Sequence, residues 1–252
     1  MTTFTLTLSS DTTDFTTYLT PPLNLNPCQK YEAAFLSLET YNSIPNITKE
    51  NNKFKYSVDN GTTWKIITLP VDAYEFSQIA DEIQKQMIEN GDYNPNTDSN
   101  SRFYINFSIY RLSSMVEVLH SDYKIDFGVK NSVGSTLGFN DEILTRGSHK
   151  SPKIVDINKV NSILVNVDFI CGSYVSIPNQ TCVQLPSIYN FSPQVGPGYK
   201  INERPNPTLV FYPVTSSNVS SVRLWLTDQN NKPIDLQGER ITVKIIIREI
   251  KK

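Results

Sequence analysis

Strict alternation of apolar and polar residues constrains this chain more than any other feature. Near the start, Phe4, Leu6 and Leu8 alternate with Thr3, Thr5 and Thr7; near the end, Ile241, Val243, Ile245 and Ile247 share one face while Thr242, Lys244 and Arg248 mark the other. Successive side chains of an extended strand point to opposite faces, so a period of two marks a strand with one buried and one solvated face. The pattern recurs at Ile163, Val165, Val167 and Phe169, with Asn166 and Asp168 between them. It recurs again at Val222, Leu224 and Leu226, which face away from Arg223 and Trp225. The run YEAAFLSLET, from Tyr31 to Thr40, is apolar on both faces for much of its length, as a strand inside a sandwich must be. Residues 51–69 read as a hairpin around Asp59-Asn60-Gly61, because Asn-Gly supplies the positive φ that a two-residue hairpin turn needs. Further strands are expected within 102–110, 113–119 and 122–127, and residues 131–139 read as a turn or a short helix.

One segment breaks the period. Phe76, Ile79, Ala80, Ile83 and Met87 form a single helical stripe, with Glu75 or Ser77 near its start and Gly91 past its end. The spacing predicts one amphipathic helix near residues 76–89, packed on its own sheet. Ten or so short strands with frequent turns then mean an all-β sandwich or barrel rather than a parallel sheet wrapped in helices. Residues 172–208, rich in Pro and Gly, read as a long irregular segment suited to carrying contacts. No repeat and no linker interrupts the pattern, so residues 1–252 are expected to form one domain.

Composition agrees. Hydrophobic residues make up 38% and charged residues only 19%, and the shortfall is filled by Asn, Ser and Thr, which favour strands, turns and caps over helix interiors. With 12 Phe and 13 Tyr, a sizeable core can form. The formal charge of −2 gives no field to hold nucleic acid, and Lys244, Arg248, Lys251 and Lys252 read as a solvated face. The N-terminal run has no basic region or long apolar stretch, so no signal peptide is expected, and no run approaches the ~20 apolar residues of a membrane span. Six glycosylation sequons, at Asn46, Asn60, Asn106, Asn179, Asn190 and Asn218, are expected by chance in so Asn-rich a chain.

Reactive chemistry is sparse. His120 and His149 have no partner at metal-ligand spacing, and Cys28, Cys171 and Cys182 form no paired framework. Cys171 ends an apolar strand and reads as a small buried hydrophobe. There is no Gly-x-Ser-x-Gly elbow. The glycines of Gly134–Gly138 lack the Lys and spacing of a phosphate loop. Glu203, Asp228, Asp235 and Glu239 cluster in sequence, but Asp235–Glu239 reads as a hairpin turn with Gly238 at positive φ. No catalytic residue, cofactor site or metal site is assigned. Trp225 is expected to be structural, covered by a loop or a neighbouring subunit.

Taken in order, several of these segments resemble the minor capsid, or penton, proteins of Maverick/Polinton elements and adintovirus-like viruses. Tyr31–Asn46, Asn51–Gly61 and Pro70–Ile79, with its Tyr74-Glu75 pair, carry the first half. Pro197-Gly198-Tyr199, Glu203-Arg204-Pro205, Tyr212-Pro213-Val214, Val222–Gln229 and Asp235–Glu239 carry the second. The sequence departs from the family at Asp72, where Gly is usual, and at Gly134, where a longer residue is usual, which puts a short helix there in question. The resemblance implies a single jelly roll, assembly into homopentamers at the vertices of an icosahedral virion, and contact with a double-jelly-roll major capsid protein. From the missing ligand set and nucleophile constellation, no enzyme activity and no cofactor are expected. The ring would use the sides of the roll, with segment 192–208 contributing Tyr199, Glu203 and Arg204 as candidate interface residues. A carbohydrate- or receptor-binding β-sandwich, a fragment of a major capsid protein and a cupin-like enzyme are the competing readings.

Overall fold

The computed structural model describes residues 2–94, 103–157, 159–176, 182–205 and 207–250. Asn179, Lys251, Lys252 and residues 95–102 of the polar loop lie outside them. The chain divides into two compact units, Met1–Ile44 with Val160–Lys252, and Pro45–Lys159. In sequence, the second is an insertion in the first. The reading of residues 1–252 as one domain rested on the absence of a linker; no Gly- or Ser-rich stretch marks either crossing.

The outer unit contains β1 (Thr3–Ser10), β2 (Asp14–Asn24), β3 (Tyr31–Tyr41), β4 (Ile163–Val167), β5 (Ser187–Phe191), β6 (Lys200–Glu203), β7 (Asn218–Asp228) and β8 (Ile241–Glu249). One sheet runs β1-β8-β3-β6, with the short strand Tyr212–Pro213 also on β3; the other runs β5-β4-β7-β2. The pairs are antiparallel. First pairs with last, second with seventh, third with sixth and fourth with fifth, the winding of a long hairpin rolled into two sheets. This is a jelly roll. Its core lies between the sheets: Ile241, Val243, Ile245 and Ile247 of β8, Ile163, Val165 and Val167 of β4, and Val222, Leu224 and Leu226 of β7 are all buried.

The alternation therefore reads the inner faces correctly, but the outer face of β4 is covered as well, with Leu164 and the neighbouring Thr227 of β7 both buried. Asn166, on the polar face of β4, is only 1% exposed. Its Nδ2 donates to the Trp225 carbonyl at 3.3 Å and to Thr227 Oγ1 at 3.1 Å, while its Oδ1 has no partner among the described residues, so the amide is only half satisfied under cover. The region expected to be irregular also holds regular structure: β5, β6 and a small hairpin, Tyr174–Ser176 with Cys182–Gln184, lie within it. Cys171 is half-buried, not enclosed.

The inserted unit has its own core, built on α1 (Phe76–Glu89). The predicted stripe is the buried face: Phe76, Ile79, Ala80, Ile83 and Met87 point inward. Glu75 caps the start, its N–H donating to Gln78 Oε1 at 2.7 Å, and Gly91 takes φ +76° beyond the end. The helix packs with strands Lys53–Ser57, Lys65–Thr68, Lys124–Asp126 and Ile143–Leu144, and with a three-stranded sheet of Ile105–Tyr110, Ser113–Val118 and Gly147–Lys150. The expected hairpin forms, and Asn60 and Gly61 both take positive φ, but the turn is wider than two residues because Tyr56 pairs with Lys65. Asp59 organises the extra residues, accepting from the Thr63 N–H and hydroxyl at 2.8 and 2.6 Å.

Asparagines hold the connections. Both amide atoms of Asn46 bind the Tyr74 backbone, and Asn51 Nδ2 donates to the Asn46 carbonyl at 2.9 Å and to Thr136 Oγ1 at 2.7 Å. The sequon at Asn46 is thus buried and already bonded. A 3₁₀ turn, Val133–Ser135, forms despite Gly134. Gly134 is required there by space: a Cβ would lie 2.7 Å from the Phe127 ring.

Two predictions follow from this packing. Gly134→Ala forces Phe127 to shift and should lower stability by roughly 1–3 kcal/mol, read as a drop in urea midpoint. The second concerns the phenols of Tyr123, in the inserted core, and Tyr189, which stacks on Phe35 at 4.3 Å and donates to Glu203 Oε1 at 2.9 Å. Burial raises both to about 12, helped by the nearby carboxylates. The stability that rests on these neutral phenols is complete below their ordinary value near 10 and is lost as pH rises through 12. Urea midpoints should fall between pH 9 and pH 11, and Tyr189→Phe, which cannot ionise, should reduce the fall.

Candidate assembly surface

Candidate interface residues Tyr199, Glu203 and Arg204 fall on and beside β6, the strand that edges one sheet of the roll. Ile201 anchors this strand in the core, while Lys200 and Asn202 face out. Its register on β3 places Lys200 against Tyr41 and Glu203 against Leu38. Asn42 fixes the preceding corner. Its N–H donates to the Tyr199 carbonyl at 2.9 Å, its carbonyl accepts from the Gly198 N–H at 2.8 Å, and its Nδ2 donates to the Val195 carbonyl at 2.8 Å. Gly198 takes φ +78°, which a side chain would resist.

The three residues do not have equal freedom. Tyr199 is 64% exposed, and Arg204 is exposed and in no ion pair among the described residues. Glu203 is half-buried and already accepts the Tyr189 hydroxyl, so it braces the edge from within. Sequence reasoning missed two neighbours. Tyr41 is 47% exposed, and Lys200 pairs with Glu39 at 2.9 Å, which holds the Glu39 carboxyl below its usual range. Their signal, a polar outer face at the end of β3, needs the β6 register to be read.

The opposite edge of the same sheet is chemically unlike this one. β1 pairs with β8 along its length. Its sequence, TFTLTLSS, has no charge and no proline, and its inward-facing Phe4 and Leu6 are only partly buried. β6 is four residues long, carries Lys200 and Glu203, and is flanked by Pro197 and Pro205. Short length, charge and proline are the features that keep a sheet edge from pairing, and β1 has none of them.

On the other sheet, Trp225 is half-buried on the outer face of β7 with the Arg223 guanidinium 4.9 Å from its ring centre. Arg223 is held in turn by Asp14 through bonds of 2.9 and 2.7 Å. That pairing keeps the Asp14 carboxyl below its usual range.

The remaining reactive groups have local duties. His149 Nε2 lies 2.6 Å from the Thr145 carbonyl, and His120 packs beside Tyr104 and Tyr123. Asp228 and Asp235 accept backbone N–H groups within their own turns, with Gln237 and Gly238 at positive φ. Among the described residues no group of His, Cys, Asp or Glu is arranged to hold a metal ion, and no helix is long and apolar enough to cross a membrane.

No protein-family model matches the chain, and no curated protein matches it. Among solved structures it is similar to the crystal structure of the mavirus penton protein, at 13% identity and a TM-score of 0.51. The likeness covers 98% of this chain and 99% of that one. At this identity the shared property is the fold, an antiparallel jelly roll.

Proposed function

We propose that this chain is a structural capsid protein of the penton type, forming homopentamers at the vertices of an icosahedral virion and meeting a double-jelly-roll major capsid protein there. The observation that carries the reading is the extent of the likeness. Jelly rolls alone serve many functions, but here the similarity to the mavirus penton protein runs through the inserted residues as well as the roll. The sequence resemblance to Maverick/Polinton and adintovirus-like minor capsid proteins agrees with it. In this reading the roll with its insertion acts as one assembly unit, located in the virion.

A closed ring needs heterologous contacts, in which one patch meets a different patch on the next copy. The two unlike edges of the β1-β8-β3-β6 sheet suit this arrangement. Tyr199 offers aromatic contact area, and Arg204 offers a planar donor fork for a carboxylate across the contact.

Light scattering on the purified chain should give a mass about five times the 28.6 kDa of one subunit. Replacing Tyr199 and Arg204 together by Ala should yield folded monomer, because one damaged patch weakens every junction. A wild-type chain that stays monomeric at high concentration and with its major capsid partner would remove the capsid reading. Pentamers that survive the double substitution would move the contact elsewhere on the roll.

A further inference from the structure

The inserted unit carries a surface that its own fold does not explain. The strands Ile105–Tyr110 and Ser113–Val118 form a hairpin that turns at Arg111 and Leu112, with Arg111 at φ +61°. Its tip is apolar and uncovered: Ile109 is 50% exposed, Tyr110 54% and Leu112 73%. The Leu112 carbonyl accepts from the Val155 N–H at 2.9 Å, which brings Ile154, 65% exposed, alongside.

Cations surround these side chains. The Arg111 guanidinium lies 5.5 Å from the centre of the Tyr110 ring and Lys150 Nζ 5.8 Å from it. Lys153 adjoins Ile154 and is exposed. None of the three takes part in an ion pair among the described residues. Glu117, the acid on this hairpin, lies further from the tip, paired with Ser148 and Asn106.

We propose that this hairpin tip is a contact surface for an anionic lipid bilayer. Alternate residues of a strand point to opposite faces, so Ile109 and Tyr110 present apolar surface on both sides of the hairpin. Exposed apolar side chains ringed by cations that have no acidic partner among the described residues match a bilayer interface, where acyl chains and lipid phosphates lie side by side. A two-residue turn also offers no trough for an acidic peptide. Leu112 and Ile154 would enter the headgroup boundary, Tyr110 would sit at headgroup level, and Arg111, Lys150 and Lys153 would meet lipid phosphates. The contact lies on the membrane without crossing it.

The test is co-flotation of the full chain, in its natural assembly state, with phosphatidylcholine vesicles containing or lacking phosphatidylserine. Binding is expected only with phosphatidylserine, and 0.5 M salt should weaken it, on the order of the charge screening expected there. Replacing Arg111, Lys150 and Lys153 by Ala should reduce partitioning about a hundredfold. Replacing Leu112 and Ile154 by Ser should reduce it at least about tenfold with all charges kept. Both variants change exposed side chains only, and an unchanged melting temperature verifies their fold. No flotation with phosphatidylserine vesicles overturns the proposal. So does flotation that the Leu112 and Ile154 substitutions leave unchanged, which would reduce the tip to a charged patch. Binding to polyglutamate without binding to vesicles would assign the surface to an acidic protein instead.

Discussion

The central position of β8 is the constraint on which the roll depends. This strand pairs with β1 on one side and β3 on the other, and its inner row of Ile241, Val243, Ile245 and Ile247 is completely buried. Without it, β1 has no partner in the sheet and β3 loses its one long border, keeping only the short pairings with β6 and Tyr212–Pro213. The pairing joins residues distant in sequence: Ser9 and Thr242 share a side-chain hydrogen bond across 233 positions. Such contacts reward the chain only after loop entropy has been lost, which is the property of a topology that folds slowly. The aliphatic row makes it worthwhile, each side chain contributing roughly 1.5–3 kcal/mol of burial.

How much of this was legible in the sequence follows from what each signal encodes. Period-two alternation says which side of a strand is buried, and Ile245, Val165 and Leu224 are where it puts them. It says nothing about partners. The strand Lys200–Glu203 is hidden among prolines and glycines because four residues carry little periodicity; only its register on β3 makes it a strand. The helix was plain because a 3.6-residue stripe stands out among strands. The two-unit division was invisible for a different reason. Phe54 and Phe35 belong to separate cores, yet both lie in strands of the same character. Of the candidate edge, the sequence marks the residue types but not their orientation: Tyr199 and Arg204 are exposed, while Glu203 turns inward to a tyrosine that no local pattern links to it.

The polar uncharged residues that gave the composition its cast have definite work. Thr3, Thr5, Thr7 and Ser9 line the solvated face of β1, where a hydroxyl is compatible with both water and a pleated surface. Asn46, Asn51 and Asn52 instead replace backbone partners in buried turns, donating to carbonyls that no strand reaches. A chain with few charges can therefore build long connections without burying unpaired ions. The carboxylates that are buried or half-buried are matched: Asp92 receives Tyr56 and Lys65, and Glu203 receives Tyr189.

Placing a complete core between β3 and β4 has a consequence for how such a protein can change. The roll's own pairings, first with last through fourth with fifth, involve no residue of the inserted stretch. Lengthening or shortening a connection between two strands alters its closure entropy only logarithmically. The interval from Pro45 to Lys159 is accordingly a slot in the connectivity of the roll: its length and content can vary without changing which strands of the roll pair.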